Sequence, residues 1–324
     1  MALKEISIPI KEHLEEFNKF FKKQMKSDVP LLNLIINYMT QKKGKQVRPL
    51  LVFLTAELCG GVNERTYKGA ALVELLHNAT LVHDDVVDGA KVRRGITSIN
   101  ANWNNKIAVL IGDFLLAKGL LTAIESNEFE FLKATSHAVR RMSEGELLQI
   151  QKSREFDLTE EIYFTIISNK TASLMATCCE IGAISTTDDK KIRLLMRQFG
   201  ETIGIAFQIK DDIFDYLSKN SIIGKPVGND LKEKKITLPL IYTLNNITKI
   251  EAKNIISLLK KDKITRNEIN SIISFVKKNG GIEYSEQVAK KYSDTAIDLL
   301  NYFPDSKAKS SLIEFCRFVI DRKK

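Results

Sequence analysis

Apolar residues recur at spacings of three and four over most of the chain, which is the period of an α-helix. The pattern predicts an all-α protein. Asn63 stands where a cap belongs for a helix through RTYKGAALVELLHNATLVHDDVVD, and Gly89 where that helix should stop. Thr159, followed by Glu160 and Glu161, predicts a second helix running unbroken through EEIYFTIISNKTASLMATCCEIGAI, its first-turn acids suiting the helix dipole. Asp188 and Asp189 precede a third, KKIRLLMRQFGETIGIAFQIKDDIFDYL. Several of these helices are apolar around most of their circumference, so they belong at the centre of a bundle. No linker rich in Pro, Gly or Ser, no internal repeat and no alternation of strand with helix divides the chain, and residues 1–324 read as one all-α domain. GKPVGND, from Gly224 to Asp230, predicts the best-marked mobile loop.

Composition adds limits. With 44% hydrophobic and 27% charged residues, the chain falls among soluble globular proteins. The formal charge of +9 is dispersed over helix-like stretches, and neither zinc-finger spacing nor an RNA-binding aromatic signature occurs, so no nucleic-acid partner is expected. Cys59, Cys178, Cys179 and Cys316 form no CxxC pair, as befits free thiols in a reducing compartment. The start, MALKEISIPIKEHLEEF, lacks a continuous apolar run, and IAVLIGDFLLAKGLL is interrupted by Asp113 and Lys118. The expectation is a cytoplasmic protein without a membrane span.

The candidate chemistry lies in HDDVVDGAKVRRG, His83 to Gly95. Asp84 and Asp88 are four apart, so their carboxylates share a helix face, with Asp85 rotated by about 100°. Like charges at that spacing cost a few tenths of a kcal/mol, and the macrodipole disfavours anions at a helix C-terminus by about 0.3–1 kcal/mol more. A cation should therefore compensate them. The arrangement recurs in KDDIFD as Asp211, Asp212 and Asp215, again behind an apolar helix. Two such helix ends facing one cavity would make an all-oxygen site suited to Mg²⁺. Lys45, Arg48, Arg93, Arg94, Lys170, Lys225 and Lys235 all fall in or beside turn-like punctuation, where they are natural partners for phosphate oxygens. Acids and bases together point to a diphosphate pocket.

HDDVVDGAKVRRG, FQIKDDIFD, GKQVRP, HNATLVHDD, NKTA and GKPVGNDL, running in order from Gly44 to Pro239, resemble the motifs of the trans-prenyltransferases, the polyprenyl diphosphate synthases. The resemblance implies the isoprenoid-synthase bundle around a deep central cavity, a homodimer, several Mg²⁺ ions per active site, and condensation of isopentenyl diphosphate with an allylic diphosphate. Matched position by position, Asp84, Asp85 and Asp88 would hold Mg²⁺ on the allylic diphosphate, helped by Asp211 and Asp212. Arg93, Lys170, Thr171, Gln208, Lys225 and Lys235 would hold that diphosphate. Lys45, Arg48, His77 and Arg94 would hold isopentenyl diphosphate. Three positions depart from the pattern: Lys43 stands for the first glycine of a pair, Gln46 for a basic residue, and Lys234 for the glycine of GKxTLP.

Product length should depend on what lies beneath Asp84. Thr80 and Ala79 are about one helical turn deeper, about 5.4 Å, close to one isoprene unit. Both are small, where a large aromatic resembles the plug of short-product family members, so a long-chain product is expected. Leu76 and Val73 continue the face, and the helix carrying Phe114 and Leu115 is the expected floor. A medium-chain synthase is the alternative. A non-catalytic subunit should have lost an acidic triad, and a terpene cyclase would not need Lys45, Arg48 and His77. A greasy product and net positive charge also suggest transient contact with a membrane surface.

Overall fold

The computed structural model describes residues 3–41, 44, 46–93, 95–217 and 228–322. Among the sequence-predicted positions, Lys43, Lys45, Arg94, Gly224 and Lys225 lie outside the described residues. The chain divides into two compact units: Met1–His137, Thr177–Arg197 and Tyr302–Phe315 form the first, and Ala138–Ala176, Gln198–Asn301 and Cys316–Lys324 the second.

The first unit begins with α1 (Leu3–Ile6), α2 (Lys11–Gln24), α3 (Pro30–Thr40) and α4 (Val47–Cys59). Next comes α5 (Glu64–Val87), whose start and stop follow from side chains. Asn63 accepts from the Thr66 backbone N–H and Thr66 returns the bond to the Asn63 N–H, each at 3.2 Å, a reciprocal cap that satisfies otherwise orphaned donors. Gly89, at φ +60°, takes the left-handed turn beyond the helix. A strand pair of two residues each follows, β1 (Val92–Arg93) antiparallel to β2 (Ile96–Thr97), turned by Gly95 at φ +75°. It is too short to leave a strand pattern in the sequence. Then come α6 (Ile99–Asn102) and α7 (Asn105–Glu125), and α7 packs along α5. Leu75, Ala79 and Val82 of α5 share a buried cluster with Ala108, Ile111 and Leu115 of α7. By length and composition alone α7 is apolar enough to cross a membrane even though Asp113 and Lys118 interrupt it, a property that a helix packed in a protein core shares.

Four later helices carry the second unit's chemistry: α8 (Phe129–Glu155), α9 (Glu160–Ile167), α10 (Ser173–Ile184) and α11 (Lys190–Leu217), of which α8, α10 and α11 each have residues in both units. Thr159 caps α9 by accepting from the Ile162 N–H, and Asp189 accepts from the Lys191 N–H at the head of α11. The helix predicted to run unbroken from Glu160 to Ile184 is interrupted: Ser168–Ala172 winds as a π turn, with the Ser173 N–H reaching back to the Ser168 carbonyl. The remaining helices are α12 (Asn229–Lys232), α13 (Leu238–Asn245), α14 (Lys249–Leu259), α15 (Arg266–Lys278), α16 (Gly281–Leu299) and α17 (Lys307–Asp321). Within the second unit, Ile209, Ile213 and Tyr216 of α11 are buried with Leu238, Ile241, Ile273 and Ala289. All four cysteines are free, and Cys59 is pushed up to about 12 by burial, which keeps its thiol protonated and unreactive.

Candidate active site

The acidic segments lie one in each unit. In the first, the end of α5 exposes Asp84 and Asp88 and buries Asp85, which is 4% accessible. The rotation expected from helical spacing is thus realised as a difference in burial. A buried carboxylate needs a partner. Asp85 has one in Arg93, whose Nε and Nη2 donate to Oδ1 at 2.7 and 2.5 Å, a pair that the β1–β2 turn delivers eight residues downstream. Asn100 donates to the Asp85 carbonyl at 3.1 Å, fixing the chain end. A cavity of about 60 Å³ opens beside this pair, lined by Tyr38, Asn78, Leu81, Asp85, Arg93 and Ile99 among others. His77 is buried within α5, and Arg48 sits in the first turn of α4. Ala79 and Leu76 are buried, Thr80 is half-buried and donates to the His77 carbonyl, and Phe114 packs against the cluster that contains Ala79.

In the second unit a hydrogen-bonded chain runs through the predicted residues. The Thr171 hydroxyl donates to Gln208 Oε1 at 2.8 Å, and Gln208 Nε2 donates to Asp212 Oδ1 at 2.7 Å. The other oxygen of Asp212 accepts from the Tyr163 hydroxyl at 2.7 Å. Lys170 donates to Gln149 at 3.1 Å and pairs with Glu146, while Lys235 pairs with Glu233 at 2.6 Å. Lys170, Thr171, Gln208, Asp212, Asp230 and Lys235 line one pocket of about 120 Å³ together with Tyr163.

Burial pushes the Asp212 carboxyl well above the usual range, and the charge of Asp230 pushes it further, against the bonds from Tyr163 and Gln208. Asp215 is pushed up to about 6 by burial and by Asp230, against hydrogen bonds from the Asp230 and Asn229 N–H groups. Those bonds, 3.1 Å each, make Asp215 the cap of the short helix α12. Asp211 pairs with Arg322 at 2.8 Å, and the Arg322 guanidinium lies 3.9 Å from the centre of the Phe207 ring. Burial works to lower the pKa of Lys235, but the hydrogen bond to Glu233 and nearby acids more than reverse this and hold it above its usual value.

Among the described residues, no three or more His, Cys, Asp or Glu side chains are gathered as a metal group. Taken unit by unit, the donors nonetheless fit hard divalent ions shared with a substrate's phosphates. They are oxygens alone, Asp84 and Asp88 face solvent, and the hydrogen-bond partners of Asp212 are neutral while its acidic neighbours raise its pKa. Sequence reasoning missed Tyr163, Gln149, Asp230 and Arg322. Tyr163 had a faint signal, since it precedes Lys170 by seven positions, two helical turns.

The polyprenyl synthetase family pattern matches residues 29–276. The chain is 35% identical over 321 residues to the all-trans-nonaprenyl-diphosphate synthase (geranyl-diphosphate specific) of Rhodobacter capsulatus, covering 98% of this chain and 97% of that one. It is 32% identical to the geranylgeranyl diphosphate synthase of Saccharolobus solfataricus, with all of both chains covered. Its structure is similar to that of the Caulobacter crescentus polyprenyl synthase complexed with calcium and isoprenyl diphosphate, with a TM-score of 0.90, 31% identity, and 100% and 98% of the two chains covered.

Proposed function

The chain belongs to the polyprenyl synthetase family and is a prenyl-transferring enzyme, and from that premise we propose that it joins isopentenyl diphosphate head to tail to an allylic diphosphate. The proposed product is a long-chain all-trans polyprenyl diphosphate, made in the cytoplasm. One observation carries the reading of the site. Lys170, Thr171 and Lys235 line a single pocket with Gln208, Asp212 and Asp230, a mixture of cations, neutral donors and acids that suits a diphosphate brought in with magnesium.

Asp84, Asp85 and Asp88, with Asp211, Asp212 and Asp215, are the proposed magnesium ligands; Asp215 is the weakest of these, since it already caps α12. Magnesium supplies Lewis-acid stabilisation of the departing diphosphate's charge when bound. The ammonium groups of Lys170 and Lys235, the Arg93 guanidinium and the Thr171 hydroxyl stabilise the same charge from fixed positions, and Lys225 is proposed to add its own positive charge. Gln208 orients the Thr171 hydroxyl. Lys45, Arg48, His77 and Arg94 hold isopentenyl diphosphate, whose double bond attacks the allylic carbocation left behind, and loss of a proton completes one added unit. Because the family pattern from residue 29 to 276 spans segments of both units, we read them as parts of one catalytic domain.

Ala79 and Thr80 support the long product. A medium-chain product is the second reading, favoured by Phe114, which packs against the cluster containing Ala79. The homodimer rests on α7, where Val109, Leu110, Leu121 and Ile124 are exposed on a helix otherwise packed on α5, an apolar face of the kind a second copy covers. Light scattering should give twice the chain mass.

The decisive assay incubates the enzyme with labelled isopentenyl diphosphate, geranyl diphosphate and Mg²⁺, then chromatographs the dephosphorylated products. Polyprenols that disappear in excess chelator are expected. Full turnover in chelator, or no incorporation of label, overturns the proposal.

A further inference from the structure

The π turn Ser168–Ala172, which carries Lys170 and Thr171, is gripped by two helical stripes of the second unit. Along α8, Arg141, Gly145 and Gln149 are spaced by four and so share one face, about 6 Å apart. Each meets a successive part of the turn. Arg141 Nε donates to Asn169 Oδ1 and Nη2 to the Ser168 hydroxyl, both at 2.9 Å. Gly145 allows close approach, since a Cβ there would lie 2.9 Å from Asn169 Cβ and from the Lys170 nitrogen. Gln149 accepts from Lys170.

The second stripe is Glu201, Gly204, Gln208 and Asp212 on α11. Glu201 accepts from Ser168 at 2.7 Å, a Cβ on Gly204 would lie 2.7 Å from Ala172 Cα, and Gln208 accepts from Thr171. The stripes are tied together at the end remote from the pocket, where Arg141 Nη2 meets Glu201 Oε1 at 2.5 Å. A π turn holds one residue more per turn than an α-helix, and such turns occur mostly as short bulges at functional sites. Here the start of the turn, Ser168 and Asn169, is held by Arg141 and Glu201, which do not line the pocket.

We infer that Arg141 is a positioning residue for this reaction: by fixing Ser168, Asn169 and Glu201 it sets the turn so that Lys170 and Thr171 present their polar atoms to the diphosphate. The inference rests on the proposed reading of the pocket as the allylic diphosphate site. Arg141 itself does not line the pocket. Its guanidinium is partly buried, and its planar fork serves three acceptors from two separate nitrogens in fixed directions, whereas a lysine would have to reach them from a single nitrogen.

The test titrates Arg141→Met, Arg141→Lys and Lys170→Ala with inorganic diphosphate in the presence of Mg²⁺ by calorimetry, and measures KM for both substrates. Misplacing the turn should weaken diphosphate binding and raise the allylic KM by about tenfold or more in Arg141→Met, with KM for isopentenyl diphosphate unchanged. Arg141→Lys, which keeps the ion pair with Glu201 and loses the fork, should recover part of that loss. In the double variant Arg141→Met/Lys170→Ala, the loss should be smaller than the product of the two single losses, because both act through the same ammonium group. Undiminished diphosphate affinity in a folded Arg141→Met, or in Arg141→Lys where Arg141→Met does not fold, overturns the inference. If Lys170→Ala also binds diphosphate normally, the reading of the pocket has failed. If Lys170→Ala alone is weakened, the reading stands and only the role of Arg141 is lost.

Discussion

The Tyr163 hydroxyl donates a 2.7 Å hydrogen bond to Asp212 across 49 residues of chain. The phenol is itself held well above its ordinary pKa, first by burial and then by the charge of Asp212, so it stays the neutral donor. A hydrogen bond to a charged group contributes about 1.5–3 kcal/mol, so Tyr163→Phe should lower kcat/KM by roughly 10- to 100-fold while packing nearly as before. Steady-state kinetics read the loss, and calorimetric titration with Mg²⁺ and inorganic diphosphate should show weaker binding. Wild-type values on both counts would remove Tyr163 from the site.

A different kind of loss is expected at the start of α5. Asn63 both caps that helix and donates to the Ser185 carbonyl at 2.8 Å. Asn63→Ala should destabilise the protein by about 1–2 kcal/mol, combining a lost cap with an acceptor left short of its partner. Urea unfolding monitored by circular dichroism checks this, with activity at low temperature retained. An unchanged midpoint would mean that water replaces both contacts.

The features that sequence disclosed are those written within a few residues. Asn63 and Gly89 bounded α5, Thr159 and Asp189 marked helix starts, and the period of three and four was enough for the all-α class. The π turn escaped notice because one additional residue in SNKTA shifts the apolar period too little to be seen over a single turn. Contacts made by distant side chains were equally hidden. Arg141 meets Glu201 60 residues later, and Arg322 reaches the Phe207 carbonyl over 115. Residue type announced the acids as a candidate site, but their burial depends on tertiary neighbours: Asp85 is enclosed and answered by Arg93, whereas Asp84 on the preceding position faces solvent.

Acid should expose a contribution from the surface. The Glu268 carboxyl is lowered to about 2 by Lys261, reached at 2.5 Å, and by the Thr265 backbone and hydroxyl at the head of α15. Its ordinary value is 4.5, so the folded state binds this proton less readily than the unfolded chain. The stabilisation is therefore present above about 4.5 and is lost as pH falls through about 2. Asp215, pushed up to about 6, works in the opposite sense, since its folded form favours the proton. Comparing Glu268→Gln with wild type cancels that common term. The variant's unfolding midpoint should lie below wild type at neutral pH and converge on it towards pH 2; a constant gap between the curves would argue against the assignment.

Ala79 offers the sharpest check on product length, because its position makes two demands at once. It is 2% accessible and shares a cluster with Leu75, Val82, Ile111 and Leu115. A phenyl ring there must displace neighbours, and overpacking of this kind typically costs about 1–3 kcal/mol. Ala79→Phe should therefore lower the thermal midpoint and, where the ring turns towards the growing chain, shorten the polyprenol seen after dephosphorylation. Phe114 packs against the same cluster from α7, so Phe114→Ala should act in the other direction, removing bulk from the expected floor and lengthening the product. Opposite shifts from the two variants require that both residues border the hydrocarbon path. If both lose stability while their product distributions match wild type, the α5–α7 cluster is packing alone and chain length is set elsewhere.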